Sequence, residues 1–172
     1  MTHLGQPGAE EFDPPHESGR AEALRLFGET VELKDSLELT RKDARSTQAY
    51  VDFFRRHRVR VVNMSFGGSV GGVEGQLEQC GIGASADERR KIAREWFDIG
   101  KDAFVKAMAS APEVLFVAAA GNENADSSFA ESIPADIVLP NLITVGAVDK
   151  AGDEAPFTSY GKTVAVHANG YL

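Results

Sequence analysis

At 172 residues and 42% hydrophobic, the chain is long enough for one domain with a substantial core, while two complete domains would be a squeeze. Its 26 acidic residues against 18 Lys and Arg give a formal charge of -8, which repels phosphate backbones and anionic membranes and argues against nucleic-acid and membrane partners. The single cysteine, Cys80, excludes an internal disulfide and a cysteine-based zinc cluster, and no window reaches the roughly 18 apolar residues of a membrane span.

Residues 1–18, with Pro7, Pro14 and Pro15 and no apolar period, read as an irregular end, without the basic and apolar regions of a signal peptide. Leucines scattered through 19–42 fit short helices and short strands alike, so 1–42 is an uncertain N-terminal segment and 43–172 the better-patterned part. From Asp43, an N-cap candidate, "DARSTQAYVDFFRRH" puts Ala44, Thr47, Tyr50 or Val51 and Phe54 on one helical face. Val59–Ser65 is nearly continuously apolar, which predicts a strand buried on both faces. Glycines at 67, 68, 71, 72 and 75 predict a loop after it. A second helix runs from Asp87 to Ser110 on the spacing of Ile92, Trp96, Ile99, Ala103 and Ala107, with Pro112 marking its end. Then come a strand at Val114–Ala120, a polar loop to Asn141, a strand at "LITVGAV", a turn at "DKAGDE" and a short strand around "TVAVHA". Strand, helix, strand in this order, with strands this apolar, predicts a parallel sheet with crossover helices: the class is α/β.

Open parallel sheets place ligands beyond the carboxyl ends of their strands. "NMSFGG" leaves the first strand at Ser65–Gly68 and "AAAGNEN" the next at Ala118–Asn124. One crossover helix between the two strands would open both exits on the same edge, as one site. Taken singly, each exit also fits plain turn chemistry, since Gly and Asn end strands for backbone reasons.

"VVNMSFGG", "FVAAAGNEN" and "IPADIVLPNLITVGAVDKAGDEAPFTSYG" occur in the order and wording of the subtilisin-like serine proteases (peptidase S8), and most of residues 59–170 resembles that family. The resemblance implies that Asn122 points its side-chain amide into the oxyanion hole, where a fixed donor stabilises the charge that acyl transfer builds on the carbonyl oxygen. It also implies that Ser65, Phe66 and Gly67 pair with the substrate backbone as an added strand. Ala119, Ala120 and Gly121 would line the pocket for the side chain before the scissile bond, and Thr158–Gly161 match a conformational corner with no required catalytic duty. The implied partner is a peptide or protein substrate. No cofactor or metal ligand set is identifiable. Calcium is common in the family, but Asp149, Asp153 and Glu154 read as turn residues.

The family's triad of Asp, His and Ser is not identifiable. Asp35-Ser36-Leu37 is the nearest match to the acid's motif, with leucine replacing glycine, and the His-Gly-Thr-His and Gly-Thr-Ser-Met-Ala motifs are missing. His57 lies at the basic end of a helix, His167 follows Asn122 where the family base precedes it, His16 sits among prolines, and His3 lacks the flanking motif. The resemblance puts the nucleophile beyond Leu172, so the chain reads as the middle portion of a peptidase domain. A second departure is the 69–86 insertion, read as a surface loop; its "GIGASA" formally fits Gly-x-Gly-x-x-Ala but follows no strand. The reading is an incomplete serine endopeptidase, inactive by itself, with secretion of the complete protein, its oligomeric state and its specificity left open. A non-catalytic peptide-binding module on the same fold is the alternative.

Overall fold

The computed structural model describes residues 33–126 and 131–170; the expectations for residues 1–32, including the irregular end, His3 and His16, lie outside them. The first helix, α1, spans Leu33–Arg56. It opens well ahead of Asp43, which is interior to it and so is not its N-cap. "LKDSLELTRK" is rich in Leu, Lys, Glu and Arg and lacks Gly and Pro, so nothing in it interrupts a helix. Arg55 and Arg56 occupy its last turn, where the helix dipole favours cations.

Four strands, β1 (Val61–Met64), β3 (Leu115–Ala119), β5 (Leu142–Val148) and β6 (Val164–Asn169), form one sheet in the order β1-β3-β5-β6. Every neighbouring pair is parallel, as the strand-helix-strand order predicts. A second, two-residue ladder pairs β2 (Gly68–Ser69) antiparallel with β4 (Ser132–Ile133), inside what the sequence presents as loops.

Between β1 and β3 the chain forms two helices rather than one: α2 (Val70–Gln79) and α3 (Ala86–Ala109). The helix α2 replaces the loop expected from Gly71, Gly72 and Gly75. Each interior glycine costs about 0.8–1.0 kcal/mol relative to alanine, and tertiary packing offsets this cost. Val70 and Leu77 are buried against Ile92, Ala93 and Phe97 of α3, and the Ser69 hydroxyl accepts from the Gly72 amide at 3.1 Å as the N-cap.

The main core joins Val51 of α1, Ala107 and Met108 of α3, Met64 of β1, and Phe116 and Ala118 of β3. Both long helices therefore cover the same face of the sheet. Among the described residues β1 has one strand neighbour, β3, and Val61 is 58% exposed, so the burial on both faces that its composition suggests is not met by these residues. Asn141 secures the junction of α3 and β3. Its side-chain amide donates to the carbonyls of Met108 (3.0 Å), Ala111 (3.0 Å) and Val114 (3.2 Å), supplying partners that a helix C-terminus lacks internally.

Candidate functional site at the strand ends

The parallel register of β1 with β3, Met64 opposite Ala118, brings the two strand exits to one edge of the sheet. Ser65, Phe66 and Gly67, all exposed, lead away from β1; the Ser65 hydroxyl donates to the Asn63 carboxamide oxygen at 3.2 Å. Gly67 runs so close to β4 that a Cβ there would lie 3.1 Å from the Ile133 carbonyl oxygen. Ala119, Ala120, Gly121 and Asn122 leave β3 alongside.

Two cavities meet at this edge. The first, of about 370 Å³, is bounded by Ser65–Gly67, by Ala119, Gly121 and Asn122, by Val73 and Gln76 of α2, and by Ser132 and Ile133 of β4. The second, of about 350 Å³, lies toward β5 and β6 and is lined by Ala120, Val145, Thr158 and Ala168–Gly170 among others. Ser65, Ala119, Gly121 and Asn122 border both and form the ridge between them. Ala120 stands apart from its expected companions: it is 2% exposed, lines only the second cavity, and its amide donates to the Val145 carbonyl at 2.9 Å.

Asn122 is exposed on the ridge, and among the described residues its side-chain amide donates no hydrogen bond. Its backbone is held firmly. The Asn122 N–H donates to Glu123 Oε2 at 2.8 Å, and the Ser159 N–H donates to the Gly121 carbonyl at 3.0 Å. Gly121 adopts φ +112°, where a side chain would also meet Glu123 and Ser159.

The cavity wall opposite Asn122 is tied to α3. Arg94 makes a two-pronged ion pair with Glu131, which leads into β4, and Lys101 Nζ lies 3.3 Å from Asp136 Oδ2. Hydrogen bonding from Arg94 holds the Glu131 carboxyl below its ordinary range, and Glu131 in turn raises Arg94.

The remaining candidates lie elsewhere. His57 packs on the Phe53 ring, centroids 4.2 Å apart, just beyond α1, and His167 of β6 has its Nε2 3.5 Å from Glu154 Oε1; neither borders either of these two cavities. Asp35-Ser36-Leu37 falls within α1. The "GIGASA" loop follows a helix. Gly81 (φ +68°) follows the C-cap of α2, Ser85 caps α3 by accepting from the Glu88 amide at 3.2 Å, and Glu88 accepts from the Ala84 amide at 2.7 Å. Asp149 Oδ1 accepts from the amides of Ala151 (2.8 Å) and Asp153 (3.1 Å), the duty of a turn residue. Among the described residues no three His, Cys, Asp or Glu side chains converge as a metal site. Val73 and Gln76 were not singled out from sequence, although Val70, Val73 and Leu77 carry helical spacing beneath the glycines.

A parallel α/β domain with a ligand-sized cleft at its strand ends is the class that fold and site define. The subtilase family model (peptidase S8) matches residues 7–172, and the chain belongs to that family. Alkaline protease 1 of Aspergillus clavatus is 47% identical over 70 residues, which is 40% of this chain and 16% of that protein. Alkaline protease 1 of Aspergillus oryzae is 46% identical over 57 residues, 33% of this chain and 13% of that protein. The chain therefore matches only a small part of the length of these curated relatives. Among solved structures, the prenylagaramide maturation protease PagA is 20% identical with a TM-score of 0.48, over 74% of this chain and 37% of that one. The subtilisin-like protease Apa1 of the Antarctic Pseudoalteromonas sp. AS-11 is 26% identical with a TM-score of 0.43, over 72% and 21% respectively.

Proposed function

We propose that this chain supplies the substrate-binding edge and one oxyanion donor of a serine endopeptidase, whose nucleophile, base and orienting acid belong to the complete protein. The observation that carries the reading is the convergence of Ser65–Gly67 and Asn122 on one cavity of about 370 Å³. An extended peptide lies along Ser65–Gly67 and exchanges main-chain hydrogen bonds, while the side chain before the scissile bond enters the cavity beside Ala119 and Gly121. Ala120 faces the second cavity and supports the ridge from behind.

When a serine Oγ adds to the scissile carbonyl carbon, the C=O electron pair moves onto oxygen, and the Asn122 amide donates to the resulting oxyanion. A donor that no described residue engages, on a backbone already fixed, needs little reorganisation at that moment. The chain holds no identifiable triad motif, so alone it is expected to hydrolyse no peptide above background. Calcium, if the complete protein uses it, has no ligand set assigned in this chain.

The test is Asn122→Ala in the complete protein. The kcat should fall about 10² to 10³-fold, a range known for subtilisin itself, a member of this family, and borrowed rather than worked out from this site. KM should hold, because the donor is aimed at charge that develops in the transition state. An unchanged kcat in folded protein would overturn the assignment. Peptide binding without turnover by the complete protein would favour a binding module.

A further inference from the structure

We infer that Ser159 is a positioning residue for Asn122, fixing the turn that aims its side-chain amide. The inference rests on the reading of Asn122 as the oxyanion donor. Asn122 lies just beyond the end of β3 and is exposed, yet a useful donor must be held to within about half an ångström of its working place. Nothing described grips its carboxamide, so the precision has to come from the backbone on either side.

Ser159 provides that grip at three points. Its N–H donates to the Gly121 carbonyl at 3.0 Å, its hydroxyl donates to Glu123 Oε2 at 3.1 Å, and its Oγ accepts from the Glu123 N–H at 3.3 Å. The same Glu123 oxygen takes the Asn122 N–H at 2.8 Å. Gly121, Asn122 and Glu123 are thus all tied, directly or through one carboxylate, to a single serine side chain and its amide. Glu123 is exposed and its carboxylate has rotational freedom, so without the Ser159 hydroxyl the Asn122 N–H shares its acceptor with water.

Ser159 can act as an anchor because it is itself immobile. It is 3% exposed, and its neighbour Thr158, 2% exposed, accepts from the Ala147 amide of β5 at 2.9 Å while donating to the Ser159 carbonyl at 3.2 Å. The flanking residues run beside the same loop: the Asn124 amide donates to the Phe157 carbonyl and the Tyr160 amide to the Ala125 carbonyl, each at 3.0 Å. The corner after β5 therefore clips the Asn122 loop to the sheet, and Ser159 is its only side chain that reaches across to Glu123 among the described residues.

The test is a double-mutant cycle in the complete protein. Ser159→Ala should lower kcat about tenfold with KM within about twofold, since a small misplacement of a catalytic group costs up to about 10² in rate. In the Asn122→Ala background the same change should cost less than about twofold, because residues acting through one group are not additive. Glu123→Gln, whose amide oxygen still accepts both bonds, should keep most of the rate that Glu123→Ala loses. If Asn122→Ala lowers kcat and Ser159→Ala does not, or costs the same in both backgrounds, the positioning role is overturned and the oxyanion reading stands. If Asn122→Ala leaves kcat intact, the oxyanion reading falls and this inference with it. Independently of turnover, NMR on the 172-residue chain should show the backbone order parameter at Asn122 dropping from about 0.85 toward 0.6 in Ser159→Ala. An unchanged order parameter would also overturn the role.

Discussion

Replacing Gly121 by alanine tests whether the ridge between the cavities is held by backbone and packing together. At φ +112° an L-residue is strained, at about 1–3 kcal/mol. The new Cβ would stand 3.0 Å from Ser159 Oγ and 3.4 Å from Ser159 Cβ, and would collide with the Glu123 carboxylate. Glu123 is exposed and can swing away; Ser159 is buried and cannot, so overpacking against it adds about 1–3 kcal/mol. The sum, about 2–6 kcal/mol, corresponds to a Tm lower by roughly 5–20 °C for a chain of this size. Gly152→Ala is the control. Gly152 has φ +88° with nothing within 4 Å of where a Cβ would stand, so it carries the backbone penalty alone. Urea titrations followed by the fluorescence of Trp96, the single tryptophan, give both free energies. Gly121→Ala losing no more than Gly152→Ala would refute the packing argument, and losses below about 0.5 kcal/mol in both would refute the backbone argument as well.

Asn141→Ala should destabilise by about 1–3 kcal/mol in the same titration, because three carbonyls at the junction of α3 and β3 lose their shared donor. Asn141→Asp should be at least as damaging, since a carboxylate would face those carbonyls. For the Arg94–Glu131 pair the folded carboxyl is depressed below its ordinary value of 4.5, so its stabilisation is fully present above about pH 4.5 and is lost as pH falls through the depressed folded value. Glu131→Gln should therefore cost up to about 1 kcal/mol at pH 7, the scale of an exposed pair, and progressively less below pH 4.5; a pH-independent difference would contradict the pairing.

The parts of the fold legible in sequence are those where one local signal dominates. The helix α3 carries apolar residues at helical spacing from Asp87 up to Pro112, and β3, β5 and β6 are short apolar runs bounded by turn residues. Where local and tertiary signals conflict, the sequence misleads. The glycines of α2 argue for a loop, and only the surface of α3 makes their helix worthwhile. Val61 and Val62 look like an interior strand, and which strands flank them is not encoded in any local pattern; among the described residues only β3 does. The same holds at the site. "NMSFGG" and "AAAGNEN" mark two strand exits, whereas the walls from α2 and β4 and the Ser159 clip come from remote segments and become visible only in three dimensions.

The helix α3 does more than cross from one strand to the next. Its middle holds Arg94 and Lys101, which grip Glu131 and Asp136 on either side of β4, and its buried side carries Phe97, against which α2 packs. Ile133 of β4 packs against both hydrophobic clusters and lines the first cavity. Two walls of that cavity, Val73 and Gln76 on one side and Ser132 and Ile133 on the other, are thus mounted on one rigid helix, while the ridge with Asn122 is mounted on β3 and clipped to β5. The width of the cavity is set by how α3 packs on the sheet through Ala107, Met108 and Phe116. On the proposed reading of the site, a substitution in that packing layer reaches the cavity assigned to the substrate side chain before it reaches Asn122, and should alter KM more than kcat.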